Sequence, residues 1–334
     1  MDREPSVKNA VAVLVSLMTL LVLAGCGHGD DRAEPGWTDT DVSFDADGLT
    51  IHGSYRHDGR PGPAALLISE SGPTDRNGDN KVVGPVGNMR QLAETLSDHG
   101  VSSLRFDKIG TGATGLGPYE SKPTQVVSGV YTAGAAAALR YLADQPDTAD
   151  DKLSIYAVGE GAVHAMSLAG RDDPTVHSLA LFQPLAGRYL DIITNRVRAG
   201  ATPEVLDGWL ATVEEIRTKG TVPANLPEGL GAIVNPGNLN AIIEADKIDP
   251  LALASQLPDD MPVLLTCSDT DAQASCESEK PLIDALHHTA LTVVELKGVN
   301  HVLRDDPTDN IANYSTSAPL SPQVTDAIAA FTAK

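Results

Sequence analysis

Three short patches of the 334-residue chain carry side chains suited to proton transfer. Gly159-Glu160-Gly161 follows an apolar run and sets a carboxylate between two glycines at a helix start. Asp269-Thr270-Asp271 follows another such run, and Asn300-His301 a third. A carboxylate brought to an imidazole fixes its tautomer and lets it move a proton near neutral pH. Structural roles stand beside these: His301 as a packed histidine, Asp271 as a turn cap, Glu160 as a solvent-facing residue favouring the helix dipole. His164 is read as packed or exposed, not catalytic, and Trp209 as a core residue of the cap, not a ligand platform. No His-Glu-x-x-His, paired Cys-x-x-Cys, P-loop or dinucleotide fingerprint is present, so the sequence supports neither metal nor cofactor.

Those patches need a scaffold, and the hydropathy pattern supplies one. Thr40 to Gly53 alternates around Asp47-Gly48, a hairpin signal. Apolar runs at Ala64–Ser69, Ser102–Phe106, Leu153–Val158 and Val176–Phe182 read as strands covered on both faces. Helical spacing lies between them, ending at Gly100 after Leu92 and Leu96, and covering Tyr131–Asp144 and Ala162–Ala169. Strand and helix in alternation imply right-handed crossovers and a mostly parallel central sheet flanked by helices. The rhythm breaks over about 185–250, where helices at Tyr189–Arg198 and Glu204–Lys219 read as a cap insertion. It resumes with a strand at Pro262–Thr266, a helix at Glu277–His288, a strand at Leu291–Leu296 and a helix at Val324–Ala333.

With 45 acidic against 24 basic residues the net charge is −21, which excludes a nucleic-acid backbone as partner. At 42% hydrophobic and 21% charged, the chain has the composition of a folded domain. The apolar stretch Ala10–Ala24, of about 15 residues, is shorter than the roughly 20 that cross a bilayer. Preceded by Arg3 and Lys8 and ending in Leu23-Ala24-Gly25-Cys26, it reads as a lipoprotein signal peptide over 1–25. Cys26 is then the lipidated mature N-terminus on the extracytoplasmic face of the cell membrane; an ordinary signal peptide cut near Ala24 is the alternative. Residues 26–39 form a tether to a domain spanning 40–334. Export to an oxidising compartment favours a Cys267–Cys276 disulfide, with two unrelated thiols as the alternative.

In this order the chain resembles an α/β-hydrolase of the bacterial esterase and serine-aminopeptidase-like branch. The likeness rests on Ser69-Glu70-Ser71-Gly72-Pro73-Thr74-Asp75-Arg76-Asn77-Gly78, on Arg105-Phe106-Asp107-Lys108-Ile109-Gly110-Thr111-Gly112, on Asp269-Thr270-Asp271-Ala272-Gln273, and on Gly298-Val299-Asn300-His301-Val302-Leu303. The resemblance implies an α/β-hydrolase fold acting on carboxylic esters or related acyl groups. It assigns oxyanion-hole N–H groups to the Ser71 loop and to Glu160, the triad acid to Asp271 with Asp269 as substitute, and the triad base to His301.

The nucleophile is missing. The branch's Gly-His-Ser-Glu-Gly-Ala elbow aligns without a gap on Ala157-Val158-Gly159-Glu160-Gly161-Ala162, which puts Gly159 where the serine belongs. A shift of two residues brings Gly161 there instead. Two functions follow: a hydrolase that uses water on His301 or a displaced hydroxyl such as Ser71, or a pseudo-hydrolase that binds a small-molecule or acyl ligand, a peptide, an envelope component or a protein partner. On this reading, Gly159→Ser restores esterase activity through Asp271 and His301.

Overall fold

The computed structural model describes residues 36–227 and 229–333. The expected signal peptide, Cys26 and most of the tether lie outside them. Strands β1 (Thr38–Ala46) and β2 (Leu49–His57) pair antiparallel from Thr38 against His57 to Ala46 against Leu49. Asp47 and Gly48 turn between them with φ of 53° and 84°, the two-residue geometry that matches strand twist. β1 thus begins two residues inside the expected tether.

β3 (Gly62–Ile68), β4 (Ser102–Phe106), β5 (Thr148–Val158), β6 (Ser178–Phe182), β7 (Pro262–Ser268) and β8 (Ala290–Leu296) complete one eight-stranded sheet in the order β1-β2-β4-β3-β5-β6-β7-β8. β3 to β8 run parallel, and β2 joins them antiparallel along β4. The inner stretches of the central strands, residues 64–68, 179–182 and 263–265, are apolar because helices cover both faces. On one face α1 (Asn88–Asp98) and α9 (Pro322–Thr332) bury Leu92, Leu96, Ile328 and Phe331 against Leu67, Tyr156 and Phe182. On the other, α2 (Ser128–Ala143) and α3 (Gly161–Ala169) bury Leu139, Leu142, Ala165 and Leu168 against Leu66, Ile155 and Leu181. Fully burying one such leucine stabilises by about 1.5–3 kcal/mol.

The cap holds α4 (Tyr189–Gly200), α5 (Pro203–Lys219) and α6 (Leu239–Asp246), and α7 (Pro250–Ala254) follows it. It has its own core of Leu190, Trp209, Val213, Ile216 and Ile242. Trp209 is a core residue, as expected, and donates its indole N–H to Thr194 Oγ1 at 2.8 Å. Asp246 ties the cap together by accepting from Arg188 at 3.0 Å and from Arg217 Nε at 2.8 Å.

Two helix boundaries depart from expectation. The helix expected over Glu277–His288 shrinks to α8 (Lys280–Ala285), with Pro281 in its first turn. Cys276 is held by its disulfide to Cys267, with Cα atoms 4.9 Å apart, so the chain before Glu279 follows the loop instead. The last helix starts earlier, at Pro322, because Ser321 Oγ caps it by accepting from the Gln323 N–H at 3.3 Å.

Two of the resembling patches bind each other. Asp107 accepts from the Arg76 backbone N–H at 2.9 Å and from its Nη2 at 2.8 Å, and Arg76 Nη1 reaches the Gly53 carbonyl at 2.7 Å. Arg105 Nη1 donates to Asn77 Oδ1 at 2.6 Å, and the Lys108 ammonium donates to the Glu70 carbonyl. Bidentate and charge-assisted bonds of this kind fix geometry. Their effect is to hold the loop after β3 in one place.

Candidate active site

The site lies at the carboxyl ends of the parallel strands, where loops after β3, β5, β7 and β8 converge. Gly159 follows β5 directly with φ of 52° and donates its N–H to the Phe182 carbonyl at 3.0 Å. Such a backbone is strained for any residue with a Cβ. Gly161 opens α3 so close to β3 that a Cβ there would lie 2.6 Å from the Ile68 carbonyl oxygen. Gly159 is therefore the apex of the strand-to-helix turn, and the register shifted by two is excluded.

The loops bring Asp271 and His301 together as expected. His301 Nδ1 is 2.7 Å from Asp271 Oδ2, and Asp271 Oδ1 accepts from the N–H groups of Gln273 and Ala274 at 2.7 and 3.1 Å. Asp269, the substitute acid, is instead half-exposed and accepts from the Gly298 N–H at 2.8 Å. The disulfide closes the loop that carries Asp271.

What sequence reasoning missed is Glu70. Its carboxylate fills the space of the absent serine: a Cβ built on Gly159 would stand 1.3 Å from Glu70 Oε2. Oε2 is 2.8 Å from His301 Nε2, and Oε1 accepts from the N–H groups of Ser71 at 2.5 Å and Glu160 at 3.3 Å. The two donors read as an oxyanion hole are thus present, and Glu70 occupies them. A serine at position 159 has no room while Glu70 stays, which corrects the expectation that Gly159→Ser alone restores activity.

The three side chains form a charged array. Burial raises the Glu70 carboxyl, but the His301 charge and the Ser71 N–H outweigh it and hold the group at about 2. Burial alone would discharge His301, yet the two carboxylates raise it well above the ordinary histidine value, so it rests as an imidazolium.

Around this array lie other buried ionisable groups. Glu160 lines a cavity of about 340 Å³ beneath the cap, with Lys108, Tyr131 and His164. Burial raises Glu160, lowers Lys108, and depresses His164 to about 3, aided there by the charge of Lys108. His164 is a packed neutral histidine bonded through Nδ1 to Thr132 Oγ1 at 2.8 Å. A second cavity of about 160 Å³ is lined by Glu70 and His301 themselves, with Val83, Val302, Ile311 and Tyr314. Behind Asp271, Glu279 is fully buried with both oxygens unpartnered. Burial, then the Asp271 charge, pushes its carboxyl up to about 9. Among the described residues no cluster of three or more His, Cys, Asp or Glu is arranged to hold a metal.

No protein-family model and no curated protein matches the chain. Solved structures do. Est1E from Butyrivibrio proteoclasticus is 16% identical, covers 88% of this chain and 97% of its own, and superposes with a TM-score of 0.56. The Pyrococcus furiosus esterase Pf2001 is 16% identical over 78% of this chain and 82% of its own, with a TM-score of 0.53. Dienelactone hydrolase from Anabaena variabilis is 14% identical over 88% and 94%, with a TM-score of 0.51. The chain has the α/β-hydrolase fold.

Proposed function

We propose that this chain is a lipid-anchored, extracytoplasmic hydrolase whose reaction centre is the Glu70–His301–Asp271 array in place of an acyl-serine. The observation that carries the reading is the Glu70 carboxylate standing in the serine's space, with one oxygen on two backbone N–H groups and the other on His301. A buried array of charges is a poor device for stability, since apolar replacements of such groups are commonly neutral or better. Its geometry is that of a reactive carboxylate next to a proton donor. The ester-hydrolase likeness supports hydrolysis in general, while the occupied hole argues against the acyl-serine route.

The test is a fluorophosphonate probe with a panel of short and long acyl esters. Wild-type protein is expected to remain unlabelled and to leave the esters intact; stoichiometric labelling would locate a nucleophilic serine and end this reading. Anchoring is tested separately. Full-length protein is expected in the membrane fraction, and Cys26→Ala is expected to lose lipidation; a processed Cys26→Ala form that still fractionates with membranes would count against it.

A second reading is favoured by one observation: both Glu70 oxygens are engaged, Oε2 by His301 and Oε1 by the Ser71 and Glu160 N–H groups. In it the protein binds a small-molecule or acyl ligand in the 340 Å³ cavity and performs no chemistry. A ligand that shifts the melting temperature of both wild-type and Glu70→Gln protein, with no turnover in either, would favour it.

A further inference from the structure

Resting on the second of those readings, in which the cavity beneath the cap holds a ligand, we propose that this cavity is a binding site for a free α-amino acid with an apolar side chain. The observation that carries it is one charge of each sign on a single lining, neither of them in an ion pair. At about 340 Å³ the cavity falls within the usual range of small-ligand sites. The Glu160 carboxylate lines it and, among the described residues, makes no hydrogen bond or ion pair. The Lys108 ammonium is buried on the same lining, donates to the Glu70 carbonyl alone, and lies 5.8 Å from the centre of the Tyr131 ring. Each of the two charges shifts the titration of the other, yet they form no ion pair with one another.

His164 adds a third group. Thr132 Oγ1 gives its hydrogen to the Ser128 carbonyl at 3.1 Å, so it accepts from His164 Nδ1 at 2.8 Å. The neutral ring then has Nε2 as an acceptor. Burying a charge without a partner is costly, and bringing a like charge beside it costs more. A simple amine would meet Glu160 and add a second cation to Lys108. A simple carboxylate would meet Lys108 and add a second anion to Glu160. An amino acid supplies both counter-charges at once: its ammonium bonds Glu160 and His164 Nε2, and its carboxylate takes the N–H groups of Lys108 that the Glu70 carbonyl leaves. Burial and then the Glu160 charge raise the phenols of Tyr131 and Tyr189, so both rings stand near the end that holds the ammonium, an arrangement that favours a cation. With Ile242 they give the side chain an apolar wall. No bond is made or broken, and the Glu70–His301–Asp271 array takes no part.

The experiment titrates the full chain in detergent, by calorimetry, with L-phenylalanine, L-phenylalaninamide, N-acetyl-L-phenylalanine and hexanoate. Phenylalanine is expected to bind one to one, and the amide and the N-acetyl form at least about tenfold more weakly, since each lacks one charge. Glu160→Gln is expected to weaken phenylalanine at least about tenfold and to leave N-acetyl-phenylalanine as tight as before. Lys108→Met is expected to weaken phenylalanine similarly and to leave the amide as tight; where its lost bond to Glu70 prevents folding, the Glu160 variant and the ligand series decide. Phenylalanine binding that is unchanged in Glu160→Gln, or no tighter than that of the N-acetyl form, overturns the inference. Amide binding as tight as that of phenylalanine also overturns it, because the site would then take the first residue of a peptide. Hexanoate binding that Ile242→Trp abolishes, with no binding of phenylalanine, would overturn the amino-acid class while the cavity-binding reading stood. No binding of any of the four would overturn both.

Discussion

The double variant Glu70→Ala/Gly159→Ser is expected to be labelled stoichiometrically by a fluorophosphonate and to hydrolyse short acyl esters, whereas Gly159→Ser alone stays unlabelled. In the single variant the new Cβ would stand 1.3 Å from Glu70 Oε2. Glu70 would have to leave His301 and both backbone donors, and breaking such a buried pairing costs about 3–5 kcal/mol. The left-handed backbone at position 159 adds about 1–2 kcal/mol for a residue with a Cβ. Truncating Glu70 removes the obstruction, frees the Ser71 and Glu160 N–H groups, and leaves His301 paired with Asp271 alone, which restores its capacity to take a proton. Adding His301→Ala to the double variant is expected to lower ester turnover by about 10⁴-fold or more. A folded double variant that is inert to both probe and esters would show that more than the swap at these two positions separates this site from acyl-serine chemistry.

Glu279→Gln is expected to stabilise the protein, increasingly so as pH rises. The buried carboxyl binds its proton more tightly folded than unfolded, with a value of about 9 against 4.5. A folded-state value raised in this way gives stability that is fully present below 4.5 and is lost as pH rises toward 9. At about 1.36 kcal/mol per unit, the wild type has lost roughly 3 kcal/mol by pH 7. Glutamine keeps the shape of the neutral acid and has no proton to lose. Denaturant unfolding of both proteins from pH 5 to 9 is expected to give curves that diverge by about 1.4 kcal/mol per pH unit. Parallel curves would show that Glu279 is not buried as an acid.

The scaffold was legible because its signals are local. Asp47-Gly48 announces its hairpin, and each apolar run between turn residues is a strand whose side chains fall within a few positions of one another. Asp271 and His301 were legible through patches with recognisable neighbours. Glu70 sat in a quoted patch without a role, because its role depends on Glu160 and His301, 90 and 231 positions away. The one available signal was a pairing: a charged residue in a small-residue loop after β3, together with a glycine at the apex after β5. Glu279 gave no signal, since its burial follows from a loop closed by the disulfide and not from its own sequence neighbours.

The overlap between Glu70 and a side chain at position 159 also sets the order in which such a site can change by single substitutions. A serine Cβ at 159 would stand 1.3 Å from Glu70 Oε2, so the two coexist only with the Glu70 carboxylate moved off His301 and the backbone donors. A path of single replacements between the two therefore crosses an intermediate with either a displaced Glu70 carboxylate beside a serine or a small residue at both positions, and neither holds an assembled reaction centre. The passage is a gap in fitness for any chemistry performed here. A protein can cross it only while another property, such as binding in the cavity beneath the cap, keeps the fold in use.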